Sequence, residues 1–482
     1  MLPWQTIVQL DRDGQCPVYL QIVNAIIKEI SQGRLQPGQK LPGARRMADV
    51  LEVNRKTAAL AYEELMAQGW IDINPSSGSF VAESLPVGEV KPLSKDSPNG
   101  AHLPNLVVTP SRHLRPYSPP PSYKYAIDDG SPDPRIAPMN SLMKHCRSIV
   151  KSYYGRRLLT YNDVSGEATL RAVLSRYLLE TRGLHCRPEH LIITRGSQMA
   201  IFLVFNTLLE KGDKVIVSKP NYGSANWVIR HAGGELLEAP VDKDGILVDE
   251  VERLCTRHKI KAAYITPHHH FPTTVTLSAQ RRIQLLSLAE KYGFVILEDD
   301  YDYDFQYGSA PILPLASVDN SGWVVYSGSF SKLLAPSVRV GYLVAPEPLI
   351  REIGNLRRIV DRQGDTVMER AIADMITDGE IQRHLKKAVK TYRQRRDLFC
   401  KILHENLGEQ LEFEIPEGGM AVWTRFRKPM QDESLFDVLL KKGLYLNVDR
   451  YFLKEWQAIR LGFASLDEEE IRASLGIWAE AF

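Results

Sequence analysis

The sequence predicts an α/β protein in three parts: a helical head (residues 1–83) that ends in a β-hairpin, a linker (84–122), and a large body (123–482) with a mainly parallel sheet. Length is the first observation, because 482 residues exceed what a single domain usually holds. The second is a proline-rich middle stretch without an apolar period. The third is the alternation of apolar strands with helical stretches in the body, a pattern typical of a parallel sheet covered on both faces.

Composition and charge limit the classes of function. Apolar residues make up 44% of the chain and charged residues 24%, the balance of a soluble globular protein. The sequence has neither a signal peptide nor an apolar run near the roughly 18 residues of a membrane span, so we expect a cytoplasmic protein without a membrane partner. The net charge is only +2, so nucleic-acid binding has to rest on local pattern. The five cysteines are scattered without a CxxC pair, which predicts neither disulfides nor a zinc site.

The head contains three predicted helices followed by two short strands. Apolar spacing predicts the first helix over Tyr19–Ser31 and the second over Ala44–Leu51. Asn54 is a good N-cap for the third helix, Arg55–Gln68. Turn residues at 74–78 then separate two β-like runs. This order predicts a winged helix-turn-helix, a common DNA-binding module.

Basic side chains cluster where such a module meets DNA. Between residues 16 and 83 there are seven basic and seven acidic residues, but four of the basic ones lie between 45 and 56. Because the head is neutral overall, protein contact is the alternative use of this module. In a winged helix-turn-helix, the second helix of the motif, here the third helix of the head, reads the major groove, and the wing contacts phosphates. The candidate DNA-binding residues are therefore Arg45, Arg46, Arg55, Lys56 and Thr57 of the helices, and Ser77 and Gly78 of the wing.

The whole head resembles the GntR family of bacterial regulators. The resemblance is carried, in order, by LPGAR, RKT, AYEEL and GWI, followed by SSGSFVA. Two positions depart from the family pattern: Gly43-Ala44 stands where serine-containing residues are usual, and Asn54 stands where serine is usual. The resemblance implies binding to a double-stranded DNA operator.

The body has polar groups at strand ends that suit a phosphate-bearing cofactor held on a lysine. Lys332 closes the run SGSFSK after an apolar strand, and Arg339 follows seven residues later. Asp299 and Tyr301 follow the apolar run FVIL, and the carboxyl ends of parallel strands are where ligands bind. Gly196 opens a predicted helix whose first N–H groups can hold a phosphate. A Schiff-base lysine, an anion for a pyridine nitrogen and phosphate donors are what pyridoxal 5′-phosphate (PLP) requires.

In order and spacing, these groups resemble the fold-type I PLP enzymes, the aspartate aminotransferase class, from about Tyr125 to the C-terminus. SGSFSK, RVGY and EDDY are the most specific elements. The resemblance implies that Lys332 forms the Schiff base, that Asp299 holds the pyridine nitrogen and that Tyr301 bonds the phenol oxygen. It also implies that Tyr222 stacks on the ring, that Tyr161 reaches the phosphate of the neighbouring subunit and that Arg460 binds an effector carboxylate. The phosphate-binding residues that it implies are Gly196, Ser197, Gln198, Ser329 and Arg339.

The chain departs from that class in two places, the first being the Asp299–Tyr301 spacing of two residues, where three are usual. The usual Asn-Pro-Thr-Gly run reads Phe271-Pro272-Thr273-Thr274, so the asparagine contact with the cofactor is absent. The three histidines at 268–270 precede it. Adjacent histidines on one extended strand cannot all face one ion, so we predict a loop that lines the cofactor pocket and no metal.

Head, linker and body together resemble the MocR subgroup of the GntR family. The resemblance implies that the body is a PLP-binding effector and dimerisation domain with a smaller lobe at about 351–482, in a domain-swapped homodimer. It implies a regulator that senses PLP, or an amine or amino acid that displaces Lys332 from the aldimine. Two alternatives stay open: an active aminotransferase with a DNA-binding head, and a regulator whose body has lost PLP. The resemblance favours sensing, with slow transamination as a residual activity.

Overall fold

The computed structural model describes residues 3–86, 119–308, 312–430 and 434–482, except positions 13 and 15. The chain divides into two compact units, one on each side of residues 87–118. Most of the predicted linker, 84–122, lies outside the described residues, so its bounds stay a prediction. No helix in the described ranges combines the length and the apolar character that a membrane crossing requires.

The first unit is a winged helix-turn-helix. Its elements are α1 (Trp4–Ile7), α2 (Val18–Ser31), β1 (Lys40–Leu41), α3 (Ala44–Leu51), α4 (Arg55–Ala67), β2 (Ile71–Asn74) and β3 (Gly78–Val81). The strands form an antiparallel sheet in the order β1–β3–β2. Apolar side chains of the helices, among them Ile22, Ile26 and Tyr62, close a single core. The predicted fold of the head is confirmed.

Asn54 caps α4. Its side-chain oxygen accepts a hydrogen bond from the backbone N–H of Lys56 at 2.9 Å, which satisfies a donor that the first helical turn leaves unpaired. Asn54→Ala is expected to lower local stability by about 1 kcal/mol. Amides of residues 55–67 in the full chain should then exchange hydrogen roughly fivefold faster. Asn54→Ser keeps a capping oxygen and is the control; unchanged exchange in the alanine variant would contradict the assigned cap.

The second unit is an α/β body with a smaller lobe. Its helices are α5 (Met139–Lys151), α6 (Gly155–Leu158), α7 (Ala168–Arg182), α8 (Ser197–Leu208), α9 (Gly223–His231), α10 (Val248–Arg257), α11 (Ala279–Tyr292), α12 (Glu347–Val360), α13 (Thr366–Thr377), α14 (Glu380–Leu407), α15 (Ser434–Lys441), α16 (Arg450–Trp456) and α17 (Glu468–Ala479). Its strands are β4 (Tyr125–Ile127), β5 (Leu191–Thr194), β6 (Lys214–Lys219), β7 (Glu235–Asp242), β8 (Gly245–Ile246), β9 (Ile260–Ile265), β10 (Val295–Asp300), β11 (Val324–Ser329), β12 (Gly341–Val344), β13 (Leu411–Phe413), β14 (Ala421–Phe426), β15 (Leu444–Leu446) and β16 (Ala458–Gly462).

Eight strands form the central sheet, in the order β5–β12–β11–β10–β9–β6–β7–β8. Strands β6, β7, β9, β10 and β11 pair in parallel, whereas β12 is antiparallel to both neighbours and β8 to β7. The apolar strands are buried on both faces because alternate residues enter different cores: Val215 packs in one cluster and Ile216 in another. The predicted mainly parallel sheet is confirmed.

The smaller lobe contains an antiparallel sheet, β13–β14–β16. In addition, β4 pairs in parallel with β15, so Tyr125 lies opposite Leu444. The start of the body therefore belongs to this lobe, and the predicted bounds of about 351–482 leave β4 out. A strand of three residues is too short to show an apolar period, so this pairing leaves no sign in the sequence.

Candidate functional site

The sheet topology brings the predicted cofactor residues to one edge of the central sheet. Strands β5, β6, β10 and β11 share a direction, so their carboxyl ends meet there. Gly196 follows β5, Tyr222 follows β6, and Asp299 lies near the end of β10. Lys332 follows β11. Because β12 runs the opposite way, Arg339, which precedes it, lies at the same edge.

Lys332 is half-buried in the loop after β11. Its Nζ donates a hydrogen bond to the carbonyl oxygen of Gly130 at 2.5 Å. Gly130 lies just after β4, so this bond joins the large sheet to the start of the body. On the neighbouring strands, Ser327 of β11 pairs in register with Asp299 of β10. The site therefore has a carboxylate near the end of β10 and an amine in the loop that follows the adjacent strand β11.

The Asp299 carboxyl is 4% exposed and incompletely bonded. One oxygen, Oδ2, accepts a hydrogen bond from the Tyr264 hydroxyl at 2.9 Å. The other, Oδ1, has no hydrogen-bond partner among the described residues. Burial raises the pKa of Asp299 to about 7, and Asp300 adds to the effect. A protonated pyridine nitrogen would satisfy the open oxygen and compensate the charge of this carboxyl.

The two carboxyls beside Asp299 on β10 point to the opposite face of the sheet, because side chains alternate along a strand. Glu298 accepts hydrogen bonds from the backbone N–H groups of residues 315 and 316, and burial raises its pKa to about 7. Burial opposes ionisation of Asp300 as well, but His268 at 3.1 Å holds the pKa of Asp300 below its usual value. Only Asp299 therefore faces the candidate cofactor site.

The buried Asp299 carboxyl makes stability of the cofactor-free protein depend on pH. Its folded-state pKa of about 7 lies above the ordinary value of 3.8, so folding tightens proton binding. The contribution of the protonated Asp299 carboxyl to the free energy of unfolding is fully present below about pH 4 and is lost as the pH rises through about 7. Each unit by which folding raises the pKa corresponds to on the order of 1 kcal/mol. The stability of Asp299→Asn relative to wild type should therefore increase as the pH rises from about 4 to about 7. Denaturant unfolding of the two proteins checks this; a stability difference that does not change with pH would contradict it.

The candidate phosphate site lies where α8 begins. Gly196 precedes the helix with a φ of 79° and provides no side-chain cap, so the first N–H groups of α8 can bind an anion. The first turn contains Ser197 and Gln198. Arg339 donates to the Arg195 carbonyl at 2.7 Å, and a Cβ at residue 196 would lie 3.0 Å from its guanidinium. The close approach and the positive φ both favour glycine at this position.

Tyr222 and two serines border the same space. The Tyr222 hydroxyl donates to Gln198 at 3.2 Å, and the Tyr222 ring meets the Phe271 ring edge-on, with centroids 5.2 Å apart. Ser329 accepts a hydrogen bond from the backbone N–H of Ser331 at 3.1 Å. The sequence singled out Ser329, whose oxygen already accepts this bond, whereas the hydroxyls of Ser327 and Ser331 are both buried without a partner among the described residues.

Arg460 of β16 reaches this pocket from the smaller lobe and is 5% exposed. It donates to the backbone carbonyls of Asp129 and Pro272, each at 2.8 Å, and its Nη2 lies 3.3 Å from the Tyr301 hydroxyl. Its guanidinium also lies 4.8 Å from the centroid of the Phe271 ring. The cation predicted for an effector carboxylate therefore lies beside Tyr301.

The three histidines are buried, and each has a different partner. His268 pairs with Asp300, His269 with Asp302, and His270 with Ser218 and Thr273. Burial lowers the pKa of His270 to about 3. The three side chains therefore have separate partners, an ion pair for His268 and hydrogen bonds for His269 and His270, and are not directed to one point.

Tyr161 lies apart from the other predicted residues within this chain. Its side chain is 76% exposed, and the Arg362 guanidinium lies 4.2 Å from its ring centroid. Tyr153, Tyr154 and Leu159 are exposed as well. Several exposed large apolar side chains in one segment are typical of a protein interface. The role of Tyr161 toward a neighbouring subunit stays a prediction.

Sequence reasoning missed Tyr264 and Gly130. Tyr264 lies on the buried strand β9, and a buried phenol needs a hydrogen-bond partner, which was a usable signal. Gly130 acts through its backbone carbonyl, for which the sequence has no signal.

The predicted DNA-binding residues lie on α3, α4 and the wing. Arg45, Arg46, Arg55, Lys56 and Ser77 are exposed, whereas Thr57 and Gly78 are half-buried. The chain turns between the two helices at Glu52, which has a left-handed backbone with a φ of 52°. Gly78 starts β3 with a φ of 109°, as the tight turn of the wing requires. The basic side chains are therefore exposed on the two helices of the motif.

Two family models match the chain: bacterial regulatory proteins of the gntR family over residues 18–81, and aminotransferase class I and II over residues 132–476. The probable rhizopine catabolism regulatory protein MocR of Rhizobium meliloti is 29% identical, over 98% of this chain and 95% of that protein. The pyridoxine biosynthesis transcriptional regulator PdxR of Corynebacterium glutamicum is 25% identical, over 94% of this chain and 93% of that protein.

Among solved structures, the body is similar to the kynurenine aminotransferase of Pyrococcus horikoshii in complex with pyridoxamine phosphate, kynurenine and their product. The TM-score is 0.69 at 27% identity, over 74% of this chain and 90% of that chain. The class of the domain and this cofactor-bearing neighbour indicate pyridoxal phosphate as the cofactor of the body. With a GntR DNA-binding domain followed by a class I and II aminotransferase domain, the chain belongs to the MocR group of GntR-type transcriptional regulators.

Proposed function

We propose that this regulator binds PLP at Lys332 and that either PLP or a small amine or amino acid is its signal. The observation that supports this most is the open oxygen of Asp299, a buried carboxyl at the strand end beside Lys332. A buried, incompletely bonded carboxyl is unfavourable by itself and becomes favourable when a protonated ring nitrogen pairs with it.

Bound PLP would supply an aldehyde carbon that reacts with amines. The residues of the site divide the work of holding it. Lys332 Nζ would hold the cofactor, and Asp299 would hold the proton of the ring nitrogen. The first turn of α8, with Ser331 and Arg339, would bind the phosphate. Tyr222 would cover the ring, and Arg460 would bind an effector carboxylate. We further propose that the protein acts in the cytoplasm. We also propose that it is a homodimer, because the segment around Tyr161 exposes several large apolar side chains. The domain-swapped arrangement stays a prediction.

The test is operator binding by the full-length protein on DNA that flanks its own gene. Affinity is measured with and without PLP, and then with a panel of amino acids and amines. We expect the signal to change the Kd about 5- to 150-fold, the usual range of coupling between two sites. In Lys332→Ala, DNA binding should persist without the response. A wild-type Kd that neither PLP nor any amine changes would overturn the proposal.

Transamination is a second candidate function. It is favoured by the presence of Lys332, Asp299 and Arg339 and by the similarity of the body to aminotransferases. Repeated turnover of a common amino acid to its keto acid would support an enzyme. A reaction that stops after one equivalent would support a sensor. A body without PLP is the least favoured alternative, because Lys332, Asp299 and Arg339 are all in place.

A further inference from the structure

A cleft of about 350 Å³ opens beside the cofactor residues of the body. Asp129 lines it, and the next residue, Gly130, accepts the hydrogen bond from Lys332 Nζ at 2.5 Å. Tyr222 and Phe271, two rings of the cofactor site, also line this cleft. A molecule whose amine reaches the Lys332 position can therefore extend its far end into the cleft.

Carboxylates outnumber cations on the walls of the cleft. Asp129, Glu238 and Asp449 line it together with one guanidinium, that of Arg230. Glu238 is already paired with Lys219 at 2.6 Å. Asp449 accepts a backbone N–H at the start of α16, and within the described residues it has no ion pair with Lys219. Two carboxylates, Asp129 and Asp449, therefore face the single guanidinium of Arg230. The cleft therefore favours a cationic ligand.

Of the three carboxylates that line the cleft, Asp129 is the one next in sequence to Gly130, whose carbonyl oxygen accepts the hydrogen bond from Lys332. Among the residues that the structure describes, none donates a hydrogen bond to the Asp129 side chain, although its backbone oxygen accepts one from Arg460. Burial raises the pKa of the Tyr222 and Tyr301 hydroxyls, and the charge of Asp129 adds to both effects. The Asp129 carboxylate is thus near both Tyr222 and Tyr301 of the candidate cofactor site.

Aromatic rings make up much of the remaining wall. Tyr222, Trp227, Phe271, Tyr451 and Phe452 all line the cleft. Ring faces attract ammonium and guanidinium groups, most strongly where water is excluded. Rings and carboxylates in one cleft are a combination that recognises organic cations.

We propose that the effector carries a second cationic group, as a diamine or a basic amino acid does, and that this group binds beside Asp129. The proposal rests on the proposed function, since the first amine has to act at the Lys332 position. A monoamine with an apolar tail would cover the Asp129 carboxylate without pairing it, which is unfavourable. A carboxylate on the effector would be bound by Arg460, outside the cleft lining, so Arg460 would distinguish basic amino acids from plain diamines.

The experiment uses full-length, PLP-loaded protein and two matched pairs of probes. L-lysine and L-norleucine differ only in the terminal ammonium group, as do cadaverine and n-pentylamine. Each probe is titrated while the visible absorbance of bound PLP is followed. In at least one pair we expect the dicationic member to reach its half-maximal effect at an about tenfold lower concentration. A preference in the lysine pair alone indicates a basic amino acid, and a preference in the cadaverine pair indicates a diamine.

Asp129→Asn keeps the shape of the side chain and removes its charge. It should bring the preference within each pair close to one, because the half-maximal concentration rises more for the dicationic probe than for its monocationic partner. Asp437→Asn, at an exposed position of α15, is the matched control and should keep the wild-type preference. Thermal unfolding of the variants shows whether they are folded.

Equal half-maximal concentrations in the wild type, or an unchanged preference in Asp129→Asn, would overturn this inference. A wild type whose band responds equally to all four probes would overturn it and leave the proposed function standing. A wild type that has no band before any amine is added would overturn both.

Discussion

Lys332→Ala is expected to lose the visible absorbance band of bound PLP completely. The bond that holds the cofactor needs an amine at this position, and alanine supplies none. The contacts that remain, at Asp299, Arg339 and the start of α8, are hydrogen bonds and ion pairs. Borohydride reduction followed by mass spectrometry should find PLP on the peptide that contains residue 332 in the wild type and not in the variant.

Lys386→Ala is the matched control, because Lys386 is an exposed lysine on α14. It should keep both the band and the modified peptide. Covalent PLP on the Lys332→Ala protein would show that another lysine holds the cofactor.

Arg55→Ala is expected to weaken operator binding about 10- to 100-fold for each copy of the head that contacts DNA, from the roughly 1–3 kcal/mol typical of a base contact. Arg55 is exposed on the first turn of α4, the helix that such motifs lay in the major groove. Binding to the operator and to unrelated DNA is measured at one salt concentration, because both depend on salt. The operator should lose more affinity than the unrelated DNA.

Lys28→Ala removes the same charge from an exposed position of α2, outside the helix-turn-helix pair. It should change binding little. If Arg55→Ala bound the operator as tightly as Lys28→Ala, the placement of the recognition helix on α4 would be wrong.

The head was predictable because its information is local. A cap at Asn54 and a single apolar stripe on each of α2, α3 and α4 set their bounds to within a residue, whereas the four-residue α1 is too short to show a stripe and was not predicted. The body was predictable at the level of strands, because apolar runs such as Leu191–Thr194 have few other uses than a buried strand. The short pairing of β4 with β15 was not predictable, because it joins segments that are far apart in the chain and three residues long.

Within the candidate site, sequence reasoning selects residues by the chemistry of their side chains and passes over residues that act by position. Lys332 and Asp299 are the amine and the carboxyl that the cofactor demands. Gly130 contributes only a carbonyl oxygen. The choice between Ser329 and Ser331 depends on which hydroxyl is free to turn toward a ligand, and the spacing of SGSFSK does not contain that information.

The hydrogen bond from Lys332 to Gly130 has a consequence for how occupancy of the site is communicated. Gly130 lies three residues after β4, the first strand of the body, and residues 119–124 lead into that strand from the direction of the head. A free lysine amine has three N–H donors, whereas a lysine bonded to a cofactor carbon has at most one. The chemical state of one nitrogen thus sets the restraint on a backbone oxygen at the root of the chain that carries the head. Under the proposed function, a signal of this kind would change how firmly the start of the body is held, and it would need no large rearrangement of the sheet.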